Sequence, residues 1–365
     1  MILKPGVALS IPDTSSKGRS LTRIYLRDKI QKIILMGGLI FLLLLLLCIS
    51  ITVGSAGLTP GEVGMTFISS LLGSQTNSYS TAIVFGLRLH RVLFGACAGF
   101  GLAICGAVMQ GILRNPLASP FTLGISSAAA FGASIAIVCG VGIGIWNEGF
   151  IVTNAFVFTL LATMGIYLMA KRRGMTAETM VLAGILIMYL FSAMTSFLQF
   201  FASAEHNQEI VFWTFGSLSR TTWEKTVAIF TILVFSVPYL LWKSWDINAL
   251  AEGDEIAKGL GVAADRTRAL CMGVISIITA GIICFTGTIG FIGLVAPHIA
   301  RMLIGADMRY LIPISGLIGA ALLTGADILS RSILQDQIIP VGIMTAFIGI
   351  PFFGYLFMRV RREYW

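Results

Sequence analysis

The run ALCMGVISIITAGIICFTGTIGFIGLVAPHIA, residues Ala269 to Ala300, contains no Lys, Arg, Asp or Glu. Whether it forms one helix or two decides the architecture. About 20 mostly apolar residues cross a bilayer, so a single helix of this length is too long, and a division near Phe285 to Gly290 yields two spans. Counted as two, the chain has ten candidate spans: 33–54, 92–112, 121–144, 150–170, 179–201, 226–242, 269–286, 288–305, 310–329 and 338–358. With the N-terminus inside, ten spans place 20 basic residues in inside segments and 5 in outside segments, whereas merging the pair gives nine spans and 16 against 9. Basic residues accumulate on the cytoplasmic side of membrane proteins, so the expected architecture is all-α, with ten transmembrane helices and both termini cytoplasmic.

Composition agrees. At 56% hydrophobic and 12% charged over 365 residues, the chain carries more apolar surface than one water-soluble core can hide. The net charge of +8 is then a topological signal and does not suggest nucleic acid. The organisation read from the sequence is a basic cytoplasmic tail (1–32), a membrane domain (33–358) with a long inside loop at 243–268, and a C-terminal cytoplasmic tail (359–365). The first apolar run is too long for a typical signal-peptide core and is read as an uncleaved anchor. Six cysteines lie in apolar runs with no CxxC spacing and no ligand-like neighbours, so they are expected to be packed hydrophobes, with no metal and no disulfide proposed.

Two stretches, GAVMQGILRNPLASPFTLGISSAAAFGA (Gly106 to Ala133) and GFIGLVAPHIAR (Gly290 to Arg301), set glycine, proline and arginine at the edges of apolar runs. In a bilayer that pattern marks tight turns and close helix contacts. Gly95 and Gly99 form a GxxxG, with Gly101 and Gly106 following. The segment VFWTFGSL (Val211 to Leu218) suits a short helix lying at the interface. Spans two to five and seven to ten start on opposite sides, which permits an inverted repeat, although residue similarity between the halves is too weak to establish one.

Ionisable groups inside hydrocarbon mark proton or ion coupling, because each is costly there. The clearest here is Asp327, four residues before Arg331, where an i,i+4 ion pair is the favoured reading. A proton-driven carrier therefore has little to work with. The chain has no GK dipeptide and hence no phosphate loop, so nucleotide energy has to come from another polypeptide. A docking point for one is the loop segment Gly253 to Val262, where Ile256, Ala257 and Leu260 fall at helical spacing beside Asp254, Glu255 and Lys258, ending at Gly259 or Gly261; an ordinary solvated loop is the alternative.

In span five, Ser192, Thr195, Ser196 and Gln199 fall at i, i+3, i+4 and i+7. They either bond back to their own helix and hold its neighbours or line a wide, weakly polar pathway. Outside, Arg88, Arg91 and Arg331 are expected to be exposed, where they anchor headgroups or receive carboxylates of a soluble partner.

Together, RLHR (Arg88 to Arg91), the Gly106 to Ala133 stretch, VLAGI (Val181 to Ile185), FWTFGSL, DEIAKGLGV, GFIGLVAPHIAR and PVGIMTAFIGIPFF (Pro340 to Phe353) resemble the FecCD-type permease subunits of ATP-binding cassette importers for ferric siderophores, haem and vitamin B12. The resemblance covers about residues 35–360 and implies the type II importer permease fold. It also implies a multi-pass protein of a prokaryotic plasma membrane, paired with a second permease as homodimer or paralogue. Two cytoplasmic ATPase subunits holding ATP and Mg, and an extracytoplasmic binding protein, complete the implied assembly, with no cofactor on this chain. The family places the substrate path beside span five, the binding-protein contact on Arg88, Arg91 and Arg331, and the ATPase contact on Glu252, Asp254, Glu255, Ile256, Lys258, Leu260 and Gly261. The chain departs from the family pattern where His90 stands for the usual proline and Ile338 for the usual glutamate. His298 in APHIAR is read as a packed or capping side chain. The expected function is import of a ferric siderophore by alternating access, with haem or cobalamin as alternative cargo and an ion-coupled secondary transporter as the rival class.

Overall fold

The computed structural model describes residues 14–54, 57–72, 78–142, 147–334 and 337–359, and all regular structure among them is helical. Residues 1–13 and 360–365 of the two expected tails lie outside the described residues. Each of the ten apolar segments forms its own helix. They are α1 (Thr14–Thr52), α4 (Leu89–Leu113), α5 (Ile125–Cys139), α6 (Asn147–Arg173), α7 (Ala177–Phe201), α9 (Trp223–Trp242), α12 (Ala264–Thr286), α13 (Ile292–Ile304), α14 (Met308–Ser332) and α15 (Val341–Arg359). Shorter helices fill the connections: α2 (Pro60–Leu71), α3 (Ser78–Ile83), α8 (Ala204–Thr214), α10 (Ser244–Ala251) and α11 (Asp254–Gly259). Among the described residues, seven helices are long and apolar enough to cross a bilayer, while α5, α13 and α15 are shorter apolar helices.

The charge-free run that opens the sequence reading is two helices. α12 stops at Gly287, whose φ of 73° favours glycine, and α13 begins after Phe291, a non-glycine residue at φ 66°. Trp213 and Thr214 at the end of α8 and Gly216 just after it fill the break: Ser217 N donates to Thr286 O at 2.7 Å and Thr288 Oγ1 to Thr214 O at 2.5 Å. VFWTFGSL therefore does not simply lie at the interface. Trp213 and Leu218 are buried because the unwound backbone at 287–291 needs partners that water cannot supply there.

The same device follows α4. Arg114 takes the left-handed conformation (φ 47°), and residues 115–124 then fold in turns, with Ala118, Ser119 and Leu123 buried, before α5 starts at Ile125. The polar hydroxyls in this lead-in pair locally, Thr122 N donating to Ser119 Oγ at 3.2 Å. Both stretches singled out by their Gly, Pro and Arg content are thus irregular lead-ins to shortened helices.

α4 is the axis of the molecule, surrounded by α1, α9, α12, α13 and α14. The close packing is made possible by missing side chains. A Cβ on Gly99 would run into the Gly319 carbonyl of α14, and one on Gly106 would overlap the Gly293 carbonyl of α13. Gly95, the other half of the GxxxG, meets only the end of the Leu218 side chain at 3.1 Å. Gly111 lies against Met308, the first residue of α14, and Arg268 near the start of α12 bonds the Ile112 carbonyl, so α12 and α14 run antiparallel to α4. Of the cysteines, Cys105, Cys271 and Cys284 are buried as expected, but Cys48 and Cys139 are exposed, because the apolar runs that hold them have faces turned away from the bundle.

Gly106→Ala is expected to cost about 1–3 kcal/mol through overpacking against α13. Gly325→Ala, where an added methyl meets nothing within 4 Å, is expected to change stability by less than about 0.5 kcal/mol. Thermal unfolding of the two detergent-solubilised variants checks the contrast.

Candidate functional site

Three clusters carry the polar chemistry. The first surrounds the start of α4. Helix α3 continues into α4 through one π-turn, Val84–Arg88, in which Leu89 N bonds Val84 O. Such a turn inserts a residue and re-aims the side chains around it. It turns Arg88 onto the C-terminal carbonyls of α1, with Nη1 donating to Ile51 O at 2.8 Å and Thr52 O at 3.0 Å. Arg331 donates to Ser50 O at 3.1 Å and Val53 O at 2.8 Å. Arg91 reaches the Asp327 carboxylate through Nε at 3.1 Å and Nη2 at 2.7 Å, and Ser219 Oγ through Nη1 at 3.1 Å.

The three arginines are therefore buried, where the sequence reading expected them exposed. The last carbonyls of α1 have no intrahelical donors, and guanidinium groups supply them. The expected i,i+4 pair is present, Arg331 Nη2 lying 2.9 Å from Asp327 Oδ2, but Asp327 serves two arginines rather than one. That contact is an ion pair without hydrogen-bond alignment, since Asp327 Oδ2 has no hydrogen-bond partner among the described residues. Arg88 Nη2 has none either. All three arginines border a cavity of about 960 Å³, together with His90, Trp223, Glu224 and Ile338. His90 Nε2 sits 2.8 Å from Gly86 O within the π-turn, so the imidazole at the position of the usual proline packs inward.

The second cluster lies at the other end of α4. α10 and α11 replace the solvated-loop alternative with helix. Gly261 ends α11 in the left-handed conformation (φ 82°), and Gly261 N and Val262 N donate to Lys258 O and Ala257 O, both at 2.9 Å, as in a Schellman stop. Ala257 is fully buried, while Ile256 is 52% and Leu260 70% exposed. The amphipathic helix thus turns two large apolar side chains outward. Glu252, Glu255, Lys258 and Gly261 are also exposed, and Asp254 is half-buried.

Asp254 meets Arg268, whose side chain is fully buried and donates from Nη1 to Oδ2 at 2.8 Å and from Nη2 to Oδ1 at 2.5 Å. The hydrogen bonds from Arg268 hold the Asp254 carboxyl below the usual carboxylate range. A depressed pKa gives stabilisation that is complete above about pH 4 and disappears only as pH falls through the lowered value, so the Asp254 carboxylate stays charged at neutral pH. The sequence reading missed Arg268. Its partners are a carboxylate 14 positions away and two backbone carbonyls, which leave no periodic trace.

The third cluster is α7. No charged residue occurs from Thr179 to Phe201, and much of the helix surface is open. Ser192 and Ser196 are exposed, Thr195 and Gln199 half-buried. Thr195 Oγ1 bonds back to Phe191 O at 2.8 Å, so the stripe divides between the two readings given above. On the covered side, Phe191 stacks with Phe131 of α5 and Phe158 of α6, which fixes the orientation of the open face. His298 packs beside Phe353, with ring centroids 6.2 Å apart, and nearby Arg301 Nη2 donates to Gln110 Oε1 at 3.1 Å.

Replacing Asp327 by Asn leaves two buried guanidiniums without a full counter-charge. The expected loss is about 3–5 kcal/mol of stability, read as a drop in unfolding temperature, whereas the exposed Glu255→Gln should leave it unchanged.

Residues 42–359 match the FecCD transport family. The chain is 34% identical over 327 residues to the molybdate import system permease protein MolB of Haemophilus influenzae, covering 89% of this chain and 95% of that one. It is 40% identical over 277 residues to the cobalamin import system permease protein BtuC of Halobacterium salinarum (75% and 73%). To the Fe(3+)-citrate import system permease protein YfmD of Bacillus subtilis it is 35% identical over 306 residues (83% and 90%). Among solved structures, an inward-facing transporter provisionally assigned to the metal-chelate ABC type superposes with a TM-score of 0.78 at 32% identity, covering 89% of this chain and 99% of that one.

Proposed function

The chain belongs to the FecCD transport family of ABC importer permeases, multi-pass proteins of the prokaryotic plasma membrane, and we propose that it carries a ferric siderophore inward between two ten-span permease copies. The observation that carries this reading is the open face of α7. It is wide, aromatic and hydroxyl-bearing, and it has no charge from Thr179 to Phe201. A single subunit does not cover that face, so a second permease encloses the path. A bulky chelate slides past such a wall without being trapped, whereas a small oxyanion such as molybdate needs cationic or strong donor groups to replace its water. The cobalamin relative marks the competing cargo.

Drive comes from a separate ATPase pair holding ATP and Mg, bound at the α10–α11 elbow. Ile256 and Leu260 supply its apolar contact, Glu252, Glu255, Lys258 and Gly261 frame it, and Asp254 stands behind it, bound to Arg268. An extracytoplasmic binding protein docks over the 960 Å³ cavity. Arg88, Arg91 and Arg331 are bound to the end of α1 and to Asp327 and border that cavity, so they supply positive charge beneath the surface that receives the partner's carboxylates. Docking and ATP-driven closure then bias two arrangements of the bundle.

Reconstitution with the companion ATPase and binding protein tests the cargo. Ferric siderophore should stimulate ATP turnover and enter vesicles, and a response to cobalamin, haem or molybdate in its place would reassign it. Ile256→Asp with Leu260→Asp should abolish stimulated turnover while the chain stays folded. Arg88→Ala should weaken binding-protein association about tenfold and flatten its salt dependence in a titration by surface plasmon resonance.

A further inference from the structure

Arg268 makes four hydrogen bonds to three separate parts of the chain. Nε donates to Ile112 O of α4 at 3.0 Å, Nη1 to Met175 O in the α6–α7 connection at 3.1 Å, and both Nη atoms to Asp254 of α11. Ile112 and Met175 have a common neighbour. A cavity of about 410 Å³ opens between Leu113, Arg114, Asn115 and Pro116 on one wall and Ala177, Glu178, Val181, Leu182 and Ile185 on the other. The first wall starts one residue after Ile112, and the second starts two residues after Met175. The second wall is also the first two turns of α7, whose open face continues from this cavity.

Each wall is therefore held to the same guanidinium, and the guanidinium is held to α11. A second tie joins α11 to the first wall, since Arg114 Nη2 lies 3.5 Å from Asp254 Oδ1. Arg114 occupies the left-handed region without being glycine, a conformation that costs about 1–2 kcal/mol, and the ion pair with Asp254 helps to hold it. The fork of Arg268 is planar and rigid and has no exposed surface, so it does not yield by rotating into water. Other charged groups on the elements that meet here are Glu255 and Lys258 of α11, Asp265 and Arg266 of α12, Glu178 of α7, and Arg114.

We propose that the Arg268–Asp254 clasp is the positioning device that converts displacement of α11 into a change of aperture at the cytoplasmic mouth of the path. This rests on the permease reading above. α11 has its two exposed apolar side chains on the partner side and Asp254 on the clasp side, so a pull on Ile256 and Leu260 reaches both walls through Arg268. Neither wall touches the ATPase in this scheme. The clasp carries the motion.

The test uses the complete transporter in proteoliposomes, with spin labels on Asn115→Cys and Leu182→Cys across the mouth. With Cys48, Cys97 and Cys139 replaced by Ser and the chain otherwise native, the label distance should change between the nucleotide-free and ATP–vanadate states. Asp254→Asn, assayed on assembled complexes isolated by size exclusion, should keep ATP turnover within about twofold, lose the distance change and cut cargo moved per ATP at least tenfold. Asp254→Glu should restore part of both readouts, a rescue that a merely structural role does not require. Normal cargo per ATP in Asp254→Asn, or no recovery in Asp254→Glu, overturns the clasp. Absence of cargo-stimulated turnover in the native chain overturns the permease reading instead.

Discussion

Carbonyl groups at the ends of membrane helices have no water to turn to, and in this protein buried arginines answer them. Arg88 and Arg331 close the last turn of α1, and Arg268 closes the last turn of α4. A guanidinium serves this purpose well because its fixed fork reaches several oxygens at once and its charge suits the negative end of a helix. These arginines need counter-charge, and the buried Asp327 and the half-buried Asp254 supply it at opposite ends of the α4 axis.

This arrangement gives the permease rigid ends and leaves adaptable surface elsewhere. α4 is locked by glycine contacts to α13 and α14, and its neighbours inherit their positions from it. α7 is held on one side by an aromatic cluster and is open on the other, so the helix proposed to line the path has an uncovered face in the single chain. The elbow proposed to meet the ATPase is a short helix stopped by a glycine, with its apolar residues outward and its carboxylate inward, a stiff connection rather than a soft loop.

Legibility in the sequence followed range. The apolar runs, the break near Gly287, the amphipathic pattern at 254–260 and the Asp327–Arg331 spacing are local and were readable, because hydropathy, glycine and i,i+4 geometry act within a few residues. The burial of Arg88, Arg91 and Arg331 was not readable. A charged residue beside an apolar run looks the same whether it faces solvent or the carbonyls of a helix that is distant in sequence. The inward contacts of VFWTFGSL were unreadable for the same reason: their partners, at 286–288 and 342, lie 69 or more positions away.

The amino-acid sequence by itself determined that this is a helical membrane protein, which ten apolar segments form its helices, and that it carries no phosphate loop of its own. Those properties follow from hydrophobic transfer and local backbone preference, which every short segment obeys independently. Tertiary structure alone decided which charges are buried, that Asp327 is shared by two arginines, and that Arg268 ties the elbow helix to both walls of the inner mouth. Such assignments depend on which backbone carbonyls are left without a donor once helices pack, and that becomes fixed only when distant segments meet.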